Sequence, residues 1–289
     1  MHFVEAKSLL TKWGGMNIYR GCAHGCVYCD SRSDCYQFTH PFEDIEVKEN
    51  APELLEKILK SKRKKCMIGS GSMCDPYQSC EKELQLTRKC LKLLDQYEFG
   101  AAVITKSDLV LRDMDLFCSI HEKAKAVVQM TLTIADEELS KKLEPGVCNT
   151  KRRYEVLKEF QKNRIPTVVW MSPFLPYLTD SRENVETIME YCFDAGVKGI
   201  INYGIGMTLR AGDREYYYQA LDKHFPGLSR KYQEKFGYSY EINSEHNAEL
   251  MRMFHEQCEK RGVLHTPEDC FRYMQKMPER YEQMTLDLD

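Results

Sequence analysis

Cys22, Cys26 and Cys29 stand in the run Tyr19-Arg-Gly-Cys-Ala-His-Gly-Cys-Val-Tyr-Cys-Asp30, a Cys-x3-Cys-x2-Cys spacing. Three thiolates can hold three irons of a [4Fe–4S] cluster, whereas an ordinary electron-transfer cluster takes four protein ligands. The fourth iron then stays open to a small molecule, much as a catalytic metal keeps one position free. With 13 cysteines in 289 residues, random placement would give this spacing about 0.03 times per chain, so accident is a poor explanation. Gly21 and Gly25 let a short loop fold round a cluster with backbone N–H groups turned toward sulfur. The competing occupant is zinc, with Cys35 or His24 as a fourth ligand, although no second Cys-x2-Cys pair follows at zinc-ribbon spacing.

The elements that must position this loop alternate along the chain. Short apolar runs at residues 16–20, 66–69, 100–105, 126–133, 167–171 and 198–203 read as strands. Between them lie amphipathic stretches that read as helices, from about residue 51 and over 84–94, 113–124, 151–161 and 182–195, with Gly196 as a stop. Such alternation specifies parallel β/α units with right-handed crossovers. The fold class is α/β, a partial (β/α)6 TIM-type barrel over residues 1–210, short of the eight units of a full barrel. Residues 211–289 are expected to form a mostly helical C-terminal extension, with helices over 213–224 and 247–261 and one capped by Thr266. Its aromatic residues, among them Tyr217, Tyr232, Phe236 and Tyr240, are expected to pack as core over the barrel's open side, with the lining of a substrate pocket as the alternative. Ligands in such folds gather at the strand C-terminal ends. That rule brings together the cysteine loop, residues 70–75, Lys106, residues 131–133, Ser172 and Tyr203.

The cysteine motif and its position resemble the radical S-adenosylmethionine (SAM) superfamily. The wider set Asp75-Pro-Tyr-Gln78, Leu86-Thr-Arg88, Ile104-Thr-Lys-Ser107, Leu111-Arg-Asp113 and Lys142-Leu-Glu-Pro145 resembles its spore photoproduct lyase-like branch, over roughly residues 14 to 210. The resemblance implies a [4Fe–4S] cluster and SAM as cofactors, six barrel strands, and an aromatic at Tyr28 packed beside the adenine. SAM would chelate the open iron through its amino and carboxylate groups. Its carboxylate also wants a cation, and Lys106, directly after the third strand, is a mobile point charge; a solvated loop lysine is the alternative. Thr131 and Thr133 share one face of an extended strand and could offer a hydroxyl to the ribose. Gly69 and Gly71 would allow close backbone approach to the methionine part, with Ser72 and Ser172 beside them. Glu144 and Arg153 form an ion pair with each other or support SAM.

What the resemblance implies is reductive cleavage of SAM to a 5′-deoxyadenosyl radical, fed by an electron donor such as flavodoxin or ferredoxin, acting on an unknown substrate. A photoproduct lyase itself is not expected. The cluster motif starts only 22 residues in, where that lyase carries a substantial preceding region. Ser72 also aligns with its thiol hydrogen donor, and the C-terminal part differs. Cys74, two residues on, is either a hydrogen donor or a buried structural thiol. The net charge of -3 lacks the basic excess of a nonspecific nucleic-acid binder. Lys62-Arg-Lys-Lys65 reads as a solvated helix end. No apolar run has membrane-span length, no signal-peptide layout opens the chain, and many free cysteines suit a reducing cytoplasm. The readings carried forward are a radical SAM enzyme, a nucleic-acid lesion lyase, and a zinc or iron–sulfur binding module without radical chemistry.

Overall fold

A computed structural model describes residues 1–278. Six parallel strands lie in chain order in one sheet: β1 (Gly15–Met16), β2 (Met67–Ser70), β3 (Gly100–Thr105), β4 (Ala126–Thr131), β5 (Thr167–Trp170) and β6 (Gly199–Ile201). Every residue of β4 is buried, because helices cover one face and the barrel interior the other. The outer helices earn their places by spacing. Helix Arg182–Asp194 buries Val185, Ile188, Met189 and Cys192, a stripe at positions i, i+3, i+4 and i+7. Ser181 caps its start by accepting from the Asn184 N–H, and Gly196 ends the turn after it at φ +60°.

Two expectations change in detail. The run 16–20 is not one strand. Gly15–Met16 joins the barrel, whereas Tyr19–Arg20 leaves it and pairs antiparallel with Glu46–Lys48, which pairs in parallel with His2–Val4. A short extended run does not encode which neighbour completes its hydrogen bonds, so the sequence alone left this open. The helical run 84–94 also breaks, at Gln85 (φ +51°), into Glu81–Leu84 and Leu86–Gln96. The buried Glu81 carboxylate explains the break: it accepts the Thr87 and Arg88 N–H groups at the start of the second helix.

The expected helices Asp213–His224, Asn247–Arg261 and Pro267–Gln275 are present, with Thr266 capping the last. Helix Leu228–Phe236 and strand Glu241–Asn243, paired with Gly206–Thr208, were not foreseen. The last helix sets Cys270 and Met274 against Met67, Ala102, Val127, Val168 and Ile201, filling the barrel interior. Leu264 bridges to β6 and accepts from the Ile200 N–H at 2.7 Å. Tyr217 and Tyr232 are fully buried, in one apolar cluster with Cys26, Val27 and Tyr28. This cluster backs the cysteine loop with packed core, as the aromatic pattern suggested. Tyr238 instead lies exposed, and Tyr240 borders a cavity. Among the described residues no helix is long and apolar enough to cross a membrane.

Candidate active site

A cavity of about 830 Å³ opens at the C-terminal ends of the strands, with Cys22, Cys26 and Cys29 on one wall. The cysteine loop is held by its backbone. The Cys22 N–H donates to the Phe42 carbonyl (3.0 Å), the Val27 N–H to Leu143 (3.0 Å), and the Gly146 N–H to His24 (2.9 Å). Gln78 clasps the loop twice, its Oε1 accepting from the Ala23 N–H (3.1 Å) and its Nε2 donating to the Gly21 carbonyl (3.4 Å). Gly21 sits at φ +84°, and a Cβ there would meet the Phe42 carbonyl oxygen at 2.4 Å, so only glycine fits.

The three thiols suit an iron–sulfur cluster better than one zinc. Burial pushes all three thiol pKa values up, that of Cys26 to about 12. The backbone N–H groups of His24 and Asp75 work the other way on Cys22, as do the N–H and hydroxyl of Ser31 on Cys29; all favour thiolate. One tetrahedral zinc with 2.3 Å bonds would draw its sulfurs to roughly 3.8 Å of each other. Among the described residues the one His, Cys, Asp or Glu group with three ligand atoms mutually within 4.8 Å is His2, His40 and Asp44, away from this loop. The three loop sulfurs therefore do not all lie within 4.8 Å of one another, and a cluster, which puts each thiolate on its own iron, does not require that they do. Of the two residues considered as a fourth zinc ligand, Cys35 is exposed and accepts from Arg210, and His24 is buried with its Nδ1 3.4 Å from Asp75.

Asp75 joins the cysteine loop to the end of β3. Its Oδ1 accepts the Thr105 hydroxyl (2.7 Å) and the Tyr77 N–H (2.8 Å), and its Oδ2 accepts the Lys106 N–H (2.7 Å). Lys106 lines the cavity, its Nζ 5.7 Å from the centre of the Tyr28 ring. The Tyr28 hydroxyl donates to Glu144. Glu144 and Arg153 are both fully buried and pair at 2.6 Å, and Arg153 also donates to the Thr131 carbonyl (3.0 Å). Burial opposes the Glu144 charge, but Arg153, Lys106 and the hydrogen bonds prevail and hold its pKa below the ordinary carboxylate value. The pair thus supports the cavity wall from behind, through Tyr28 and Thr131.

Gly71, Ser72, Cys74, Thr131 and Ser172 line the cavity as expected of the strand ends. Gly71 is at φ +103°, and a Cβ would meet the Ile104 carbonyl oxygen at 2.1 Å. Gly71→Ala is expected to destabilise the fold by about 3 kcal/mol or more, read by urea denaturation. Two expected residues fall outside the lining. Gly69 is deeper in the sheet, its N–H bonded to the Gly14 carbonyl (3.0 Å). Thr133 is buried beyond the end of β4 at Thr131, so the strand alternation that paired the two threonines no longer applies. Cys74 donates its thiol proton to the Tyr19 carbonyl (2.7 Å), and burial, with the Asp75 charge, pushes its pKa up to about 12.

Trp170, Asn243 and Asn247 also border the cavity and were not foreseen from the sequence, whereas Tyr240, which lines it with them, belongs to the aromatic group for which a pocket was one reading. The motifs at residues 75–78, 86–88 and 111–113 form one network with Glu81. Tyr77 donates to Asp113 (2.9 Å), Asp113 receives Arg88 and Arg112, and Arg112 reaches Glu81 (2.8 Å).

The radical SAM superfamily model matches residues 16–192, from β1 through the last outer helix and including all three loop cysteines. The chain belongs to the radical SAM superfamily. Radical SAM proteins use SAM and a [4Fe–4S] cluster, in agreement with the thiol arrangement above. Among curated proteins, it is 37% identical over 169 residues to uncharacterized protein MJ0683 of Methanocaldococcus jannaschii, covering 57% of this chain and 61% of that one. It is 27% identical over 227 residues to uncharacterized protein Rv2578c of Mycobacterium tuberculosis, covering 76% of this chain and 66% of that one. The chain thus spans somewhat under two thirds of the length of these relatives. Among solved structures, spore photoproduct lyase complexed with dinucleoside spore photoproduct aligns with a TM-score of 0.62 at 12% identity, over 91% of this chain and 80% of that one. That likeness concerns the fold alone.

Proposed function

We propose that this radical SAM protein reductively cleaves SAM to methionine and a 5′-deoxyadenosyl radical, which takes hydrogen from an organic substrate bound in the same cavity. The observation that carries this reading is the convergence of Cys22, Cys26 and Cys29 with Tyr28 and Lys106 on one cavity wall. A [4Fe–4S] cluster on these thiolates supplies the electron transfer, and an external donor such as flavodoxin or ferredoxin supplies the electron. The chain's own residues bind and orient. Lys106 offers a cation to the SAM carboxylate, held in place through Asp75, which anchors its backbone. Tyr28, fixed by Glu144, presents its ring to the adenine. Thr131, Ser72, Ser172 and Gly71 supply hydroxyls and close backbone approach for the rest of the molecule.

Lys106→Met retains much of the side chain's bulk and removes its charge. It is expected to weaken SAM binding about tenfold, or 1.4 kcal/mol, with iron content unchanged, as read by equilibrium dialysis on cluster-loaded protein. Unchanged affinity would remove Lys106 from this role.

A second reading, a nucleic-acid lesion lyase, has one observation in its favour: Cys74 borders the cavity beside Ser72. Under that reading a lesion-containing oligonucleotide raises SAM turnover, and Cys74→Ala changes the product mixture. Turnover indifferent to any nucleic acid would end it.

A further inference from the structure

We propose that His2, His40 and Asp44 form a zinc site separate from the active-site cavity. The three residues bring one ligand atom each to within 4.8 Å of one another. Zinc with bonds near 2.1 Å would ask for about 3.4 Å, so a small side-chain movement completes the set. Two separate segments supply it. His2 lies on the strand His2–Val4, in register with Glu46, while His40 and Asp44 come from the loop that leads into that partner strand.

The hydrogen bonding of His40 points to a metal. Its Nδ1 lies 3.0 Å from the Pro41 carbonyl, which can only accept, so Nδ1 carries the proton and Nε2 presents a lone pair. That Nε2 is buried and has no hydrogen-bond partner among the described residues. Glu46 is the nearest carboxylate to it, at 3.9 Å, too far to bond and unable to donate when ionised. A carbonyl that holds one imidazole nitrogen and leaves the other unpaired is the usual outer support of a metal-bound histidine. The His2 ring packs edge-on to His40 with centroids 4.8 Å apart, and its Nδ1 lies 3.0 Å from Asp44 Oδ2. Asp44 Oδ1 receives the N-terminal ammonium at 2.6 Å, and zinc at Oδ2 would displace the proton that His2 Nδ1 shares with that oxygen. Two imidazoles and one carboxylate suit zinc, which outcompetes ferrous iron at such donors.

The position gives the site a consequence. The loop that carries His40 and Asp44 also carries Phe42, whose carbonyl accepts the Cys22 N–H and whose ring lies 4.5 Å from the Arg32 guanidinium. A metal tying this loop to the first strand would brace the backbone that holds Cys22.

The test uses the cluster-loaded protein. Equimolar zinc chloride is added anaerobically, the sample is desalted, and zinc and iron are measured by mass spectrometry. Wild type is expected to keep about one zinc per chain beside its full iron. His40→Ala and Asp44→Asn are expected to lose that zinc and keep the iron. His2→Ala, which trims a ring on a short edge strand, gives the same readout if a loop variant folds poorly. Wild-type protein that keeps no zinc would overturn the proposal, and so would variants that keep as much as wild type.

Discussion

Cys26→Ala is expected to lower bound iron from about four atoms per chain to near zero, and with it to abolish reductive SAM cleavage. Two thiolates cannot hold the cluster that three support, and no other cysteine can step in. Among the remaining cavity residues the candidate is Cys74, which is committed to the Tyr19 carbonyl, and Cys35 is exposed and held by Arg210. The fold itself should survive. Cys26 is packed with Val27 and Tyr28 against Tyr217 and Tyr232, and alanine removes one sulfur from that contact. The loop backbone stays tied through Val27 to Leu143 and through Gln78 to Ala23 and Gly21. Iron analysis and circular dichroism on the same sample separate loss of the cluster from loss of the fold. Full activity in Cys26→Ala would contradict the assignment of this loop.

Arg153→Met is expected to cost about 3–5 kcal/mol of stability, because it leaves the Glu144 charge buried without its partner. Arg153 and Glu144 are both fully buried, at 2.6 Å, and the guanidinium also satisfies the Thr131 carbonyl. Adding Glu144→Gln to Arg153→Met is expected to recover part of the loss, since no buried charge then remains. Urea denaturation of the two single variants and the double variant measures the coupling. The sign of the pH dependence follows from Glu144. Its folded pKa lies below the ordinary 4.5, so the contribution is complete above that value and is lost as pH falls through the lower folded value. A wild-type stability profile flat through the acid range, with Arg153→Met no less stable, would show that the pair contributes nothing.

Much of the barrel could be read from the sequence because its elements repeat a strong local pattern. The run 100–105 and the stripe Val185, Ile188, Met189 and Cys192 state their structures directly. Boundaries set by tertiary partners could not be read in this way. The break at Gln85 depends on the buried Glu81, and the turn of Tyr19–Arg20 away from the barrel depends on residues 46–48. At the site, the cysteines were legible from spacing and Lys106 from its place after β3. The roles of Asp75 and Gln78 were not, since each acts by accepting or donating to backbone groups distant in sequence. Thr133 shows the opposite failure: a sound period-2 argument was extended two residues past the end of the strand. The wall of Trp170, Asn243 and Asn247 was hidden because the last two come from the C-terminal segment, whose docking no local pattern announces.

The three loop thiols, with Tyr28 and Lys106, are proposed to hold a cluster and SAM for reductive cleavage. The most direct measurement is made on anaerobically purified protein, reduced with dithionite and supplied with SAM, with 5′-deoxyadenosine and methionine followed by chromatography. The account predicts about four irons per chain and formation of both products, dependent on the reductant and absent in Cys26→Ala. Zinc in the cysteine loop in place of iron, or iron-loaded and reduced protein that leaves SAM intact, would contradict it.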